Sequence, residues 1–92
     1  MIVSFKDTRT RQIWEGKALR LDHAVQRRAL LKLRYIQVAH EVADLHSPPR
    51  NRLEKLDGDR KGQYSIRVNQ QYRICFRWKA DGAEDVEFVD YH

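Results

Sequence analysis

Ninety-two residues, 41 % of them hydrophobic and 34 % charged, amount to one globular domain, residues 1–92, with a densely charged surface. At this length roughly 60–65 % of the unfolded surface can be buried, enough for one modest core. No run approaches the roughly 18 apolar residues that span a bilayer, and the opening residues 1–7 lack the basic stretch and apolar core of a secretory signal. The net charge of +5 is unevenly spread: residues 1–49 balance at +4, residues 50–79 at +6 and residues 80–92 at −5. A basic middle beside an acidic end can hold a polyanion and still present ionisable groups to it. The single cysteine, Cys75, lies between Ile74 and Phe76. It reads as strand packing rather than a disulfide, which makes the cytoplasm, with no membrane contact, the expected compartment.

In chain order, Ile2, Val3 and Phe5 predict a short opening strand. Asp7 or Thr8 caps a first helix that ends near Gly16, with Ile13 and Trp14 as its apolar contact. Asp22 caps a longer second helix reaching about His40. There Val25, Ala29, Leu33, Ile36 and His40 recur at steps of three and four, with Leu30 widening the stripe. Arg27, Arg28, Lys32 and Arg34 lie mostly away from that face, in solvent or against RNA. From His46 to Gly62 the pattern breaks. Ser47-Pro48-Pro49 cannot continue a helix, and Asp57-Gly58-Asp59 and Lys61-Gly62 add turn signals. A connection this long in a small domain is often functional.

Three runs of period two follow: Tyr64, Ile66 and Val68; Tyr72, Ile74, Phe76 and Trp78; Val86 and Phe88. Turns are expected at Asn69-Gln70-Gln71 and Ala80-Asp81-Gly82. The predicted fold is α+β, with two N-terminal helices packed on one face of a small, mainly antiparallel sheet. If Ile66, Ile74, Phe76 and Phe88 face the helices, alternation sends Arg67, Arg73 and Arg77 to the opposite face, together with Glu87, Val89 and Tyr91. Arginines at alternate strand positions are unusual unless something anionic visits.

RNA can be cut without a metal by turning its own 2′-hydroxyl on the adjacent phosphate. The hydroxyl proton must be removed, the leaving 5′-oxygen protonated and the phosphorane charge neutralised. Arginine suits the last task, histidine either of the first two, and tyrosine can donate a proton where nearby cations lower its pKa. Arg73 and Asp90-Tyr91-His92 supply these types. His23, His40, His46 and His92 show no close metal-ligand spacing, and no phosphate-cradling glycine loop or nucleophile elbow is present. His40 reads as structural, and Tyr64, Tyr72 and Trp78 as packing residues.

Four stretches carry a family resemblance: Leu53-Glu54-Lys55-Leu56-Asp57-Gly58-Asp59-Arg60, Gly62-Gln63-Tyr64-Ser65-Ile66-Arg67-Val68, Gln71-Tyr72-Arg73-Ile74-Cys75-Phe76, and Asp90-Tyr91-His92. With the Met-Ile-x-Ser-Phe opening they resemble HigB-type toxins of the RelE/ParE superfamily over nearly the whole chain. Asn51-Arg52-Leu53-Glu54 and Ser47-Pro48-Pro49 most resemble the GraT branch. The resemblance implies a RelE-like toxin domain of a type II toxin–antitoxin system, acting as a ribosome-dependent mRNA endoribonuclease with no metal or other cofactor. It implies that Arg73 contacts the scissile phosphate and that Asp90, Tyr91 and His92 lie in the active site. Arg67 would hold phosphate, and Arg50, Arg52, Lys55, Arg60 and Lys61 would grip ribosomal RNA. The implied partner is a HigA-type helix-turn-helix antitoxin, with operator DNA bound only through it. Two positions depart from the family: Glu54 stands where some HigB toxins have a catalytic histidine, and Asp57 where they have a lysine. Glu54 reads either as the base or as a salt-bridging loop residue. The alternatives to the nuclease are a ParE-like gyrase inhibitor and a ribosome binder with impaired catalysis.

Overall fold

The computed structural model describes residues 1–91. Helix α1 spans Thr8–Trp14. Asp7 caps it, its Oδ1 accepting from the Thr10 amide (2.9 Å) and the Thr10 hydroxyl (2.6 Å), so one carboxylate satisfies an orphan amide of the first turn. Helix α2 spans His23–Val38 and is capped by Asp22, which accepts from the Ala24 and Val25 amides. Both caps are as the sequence predicts. The second helix ends before His40, because Ala39 is already extended; His40 therefore leaves the apolar face and is exposed.

Three short 3₁₀ turns, Val42–His46, Pro49–Asn51 and Gly58–Arg60, fold the long connection. Between them lies a strand the sequence did not announce, β1 (Glu54–Lys55). Then come β2 (Tyr64–Arg67), β3 (Tyr72–Lys79) and β4 (Gly82–Asp90). The four strands form one antiparallel sheet in the order β1-β2-β3-β4. This is the α+β arrangement expected, with a fourth strand added at the edge.

The main core forms where the helices meet the sheet. Ile13, Ala29, Leu33 and Ile36 pack with Ile66, Ile74, Phe76 and Phe88, all buried. Tyr64, Tyr72 and Trp78 are half-buried against it, so the packing reading of these three aromatics holds. Burial of this apolar area, at about 25 cal/mol per Å², is the principal force holding helices to sheet.

The opening segment does not form a continuous strand. It touches β4 in parallel at two isolated bridges, Ile2 with Ala83 and Phe5 with Val86. Beside it on β4, Asp85 takes φ 53°. It is the extra residue where the β3–β4 register shifts between Cys75 and Arg77, and a bulge of this kind bends its strand. Beyond the bulge α1 closes the same edge: the Phe88 amide donates to Thr10 Oγ1 (2.9 Å) and Arg9 Nη2 donates to the Phe88 carbonyl (3.1 Å). Among the described residues, the Ala83, Asp85, Val86 and Phe88 amides along this edge are thus occupied, which leaves less of it to template another chain.

Gly82 holds the N-terminus in place. Its φ is +130°, and a Cβ there would collide with the Met1 carbonyl oxygen, the acceptor of the Ala83 amide. Gly82→Ala combines backbone strain with a lost bridge and is expected to destabilise the fold by about 2 kcal/mol. A thermal melt should show this as a fall of about 8–16 °C; an unchanged melt would mean that the opening segment contributes nothing to stability.

Candidate active site

Alternation along the strands builds a second face behind the core. Cross-strand partners share a face, so the pairs Glu54–Ser65, Ser65–Cys75, Arg67–Arg73, Arg73–Val89 and Cys75–Glu87 lie together on the side away from the helices. Leu56, Cys75 and Val89 form a small apolar floor there, with Tyr91 packed against it. Burial pushes the Cys75 thiol up from its ordinary pKa, so it acts as a packing group rather than a nucleophile.

Arg73 stands on this floor as the sequence predicts, but it is only 9 % exposed. Its guanidinium is fixed on three sides. Nε donates to Ser65 Oγ at 2.8 Å, Nη2 donates to the Arg52 carbonyl at 2.6 Å, and Nη1 lies 3.8 Å from Glu54 Oε1. The Tyr91 ring lies beneath, 5.8 Å from the guanidinium carbon. The Arg52 carbonyl reaches Arg73 because Arg52 takes a left-handed conformation, φ 45° and ψ 56°. That conformation costs a non-glycine residue of order 1 kcal/mol. A planar, permanently charged fork locked in place is suited to an anion with several oxygens.

The other predicted residues divide. Glu54 is exposed and lies on β1, beside Arg73 rather than in a loop. Tyr91 joins the same face. Asp90 pairs across the sheet with Tyr72 and so shares its face, opposite Arg73; its carboxylate accepts from Gln71 Nε2 at 3.0 Å. His92 lies outside the described residues. Arg60 is tied down, donating to Gln63 and Glu87 at 3.1 Å each. Burial works against its charge, but the hydrogen bond to Glu87 together with the charges of Cys75, Glu87 and Tyr91 raises its pKa above the ordinary value. Lys55 and Lys61 are exposed along the β1 side.

Arg50 and Arg52 line a cleft of about 670 Å³ between α2 and the turn joining β2 to β3, and Arg67, the last residue of β2, lines it as well as pairing with Arg73. Lys32 and Arg28 of α2 line it too. Here the structure corrects the helical reading: Lys32 does not point away into solvent but is 6 % exposed. Its ammonium donates to Asn51 Oδ1 at 2.7 Å, and Asn51, fully buried, in turn donates to the Leu45 and Ser47 carbonyls. Sequence reasoning missed Ser65, the Arg52 carbonyl and Asn51 as supports of these cations. Ser65 shares strand parity with Arg67 on the same run, which is the signal that could have found it.

A model of the HigB-like toxins, described as RelE-like toxins of type II toxin–antitoxin systems, matches residues 3–92. Toxin HigB-1 of Vibrio cholerae is 39 % identical over 94 residues, covering 100 % of this chain and 98 % of that protein. An uncharacterized protein of Haemophilus influenzae is 38 % identical over 61 residues, 66 % of this chain and 59 % of that one. A chain of the YoeB–YefM complex from Staphylococcus aureus superposes with a TM-score of 0.66 at 14 % identity, covering 100 % of this chain and 98 % of that one. That likeness is one of fold. The family-model match and the full-length identity together place the chain among the HigB-like, RelE-related toxins of type II toxin–antitoxin systems, a family of translation inhibitors that are generally endoribonucleases.

Proposed function

We propose that this toxin cleaves messenger RNA on the ribosome, at a linkage laid over Arg73, and is restrained by a HigA-type helix-turn-helix antitoxin that carries the pair to operator DNA. The observation that supports it best is the guanidinium of Arg73, fixed by Ser65 and Arg52 with Nη1 turned to the exposed Glu54. In the reaction the 2′-oxygen bonds to phosphorus as the bond from phosphorus to the 5′-oxygen breaks, leaving a 2′,3′-cyclic phosphate and a 5′-hydroxyl. Glu54 takes the 2′-hydroxyl proton. Tyr91 or His92 returns a proton to the departing 5′-oxygen, and Arg73 balances the extra charge on the phosphorane. Asp90, bonded to Gln71, steadies the chain that carries Tyr91. Lys55 and Lys61 meet ribosomal RNA by charge.

One observation favours a second reading, a ribosome binder with impaired catalysis. Glu54 stands close enough to Arg73 to compete with an incoming phosphate for it. Induction of the chain followed by primer extension on cellular transcripts decides between them. The nuclease gives discrete new 5′ ends that vanish when ribosomes are kept off the message, and Glu54→Gln lowers their yield by about 10²-fold. Growth arrest without new ends would support the binder, and stalled gyrase on DNA with intact message would support a gyrase poison. Ends made faster by Glu54→Gln would assign Glu54 as a brake on Arg73 rather than a base.

A further inference from the structure

The cleft beside α2 concentrates positive charge beyond what the site around Arg73 requires. Arg28, Lys32, Arg50, Arg52 and Arg67 all line it, and among the described residues no acidic side chain does. Burial first, and then the charges of Arg28 and Arg50, hold the Lys32 ammonium below its ordinary pKa. Like charges are thus gathered with no anion to offset them, an arrangement that costs stability unless a polyanion visits. The cleft is also contiguous with the candidate active site. Arg52 turns its carbonyl to Arg73 while its side chain lines the cleft, and Arg67 pairs directly across the strands from Arg73.

We propose that this cleft is a second RNA subsite, which takes the phosphate and base of a nucleotide flanking the linkage at Arg73; the assignment of that linkage rests on the nuclease reading above. The lining is suited to a nucleotide as a whole. The arginine forks match phosphate oxygens in pairs. The half-buried Tyr35, with Lys32 Nζ 5.5 Å from its ring centre, offers a face for a base, and the exposed Gln70 at the rim offers an amide to a base edge. An acidic protein segment would answer the charge but leave the aromatic face and the amide unused. Thus α2 both covers the core and guides the strand, and the substrate path runs from the open sheet face around the end of β2.

The test uses the purified full chain, a fluorescein-labelled oligouridine read by anisotropy, and a salt titration from about 50 to 200 mM. Arg28 and Arg50 are exposed, and their charges oppose the Lys32 ammonium, so Arg28→Gln/Arg50→Gln should not lower the melting temperature. Each lost phosphate contact removes about 0.7 from the slope of log K against log salt on a single strand. The double variant is therefore expected to flatten the slope by up to about 1.4 and to weaken binding about tenfold at the lowest salt. An unchanged slope in a folded double variant overturns the proposal, as does a variant that loses a glutamate-rich peptide while keeping the oligouridine. Failure of the nuclease reading is separable. Wild type that cuts no transcript, while the double variant still shows the flattened slope, leaves the cleft as an RNA site and removes only its link to a cut.

Discussion

Arg73→Ala is expected to reduce transcript cleavage about 10²–10³-fold, the usual effect of deleting a preorganised donor that meets charge developing in a transition state. The loss should fall on kcat rather than KM, because the charge on the phosphorane appears only as the 2′-oxygen attacks. Arg73→Lys should recover little. An ammonium is a point charge that cannot at once donate to Ser65 and Arg52 and still face a phosphate. Truncation also leaves the buried Ser65 hydroxyl and the Arg52 carbonyl without their donor, at about 1–3 kcal/mol. The kinetic result therefore needs a melt beside it, with activity compared below the variant's transition. Equal cleavage by wild type and Arg73→Ala would remove this residue from the mechanism and with it the proposed chemistry.

The second large effect concerns stability. Asn51→Ala should cost about 3 kcal/mol, since it strands the buried Lys32 ammonium and leaves the Leu45 and Ser47 carbonyls without the Asn51 amide. For a domain of this size that is a fall of about 12–24 °C in melting temperature. Adding Lys32→Met should restore part of the loss by removing the stranded charge, while Asn51→Asp should fall between the two. The aspartate keeps an acceptor for Lys32 but has no amide to donate to the two carbonyls. Thermal melts of these proteins, with Lys32→Met alone as the remaining corner, complete the cycle. Were Asn51→Ala to melt with the wild type, the Lys32–Asn51 pair would carry no structural weight.

Period and capping made most of the fold legible in the sequence. Asp7 and Asp22 mark helix starts because their carboxylates meet orphan amides, and the alternation through Tyr64–Val68 and Tyr72–Trp78 separates a core face from an arginine face. Arg73 and Tyr91 could therefore be brought to one face from sequence alone, while Glu54, read as a loop residue, could not. What sequence could not convey lies in the connection from Val42 to Gln63, where backbone geometry rather than side-chain period sets the path. β1 is only two residues long, too short to show a period. The left-handed turn at Arg52 falls on a residue type that rarely adopts it. Lys32 was misplaced for the same reason: on a helical wheel it sits at the border of the apolar stripe, and only the loop that brings Asn51 over it decides that it is buried. Asp90 illustrates the limit of reading a contiguous triplet, since successive strand residues face opposite sides of a sheet.

The joining of the first residues to the last strand has a consequence for synthesis. The Asp85 amide donates to the Ser4 hydroxyl across 81 residues of sequence, and Ile2 and Phe5 rest on Ala83 and Val86. The last strand also supplies Phe88 and Val86 to the core. A nascent chain whose residues 82–90 are still inside the exit tunnel lacks these partners, so its helices wait with their apolar stripe uncovered. Such long-range closure slows folding relative to local contacts. The fold thus closes only once β4 has emerged, and until then each new copy exposes a hydrophobic surface that this strand has yet to cover.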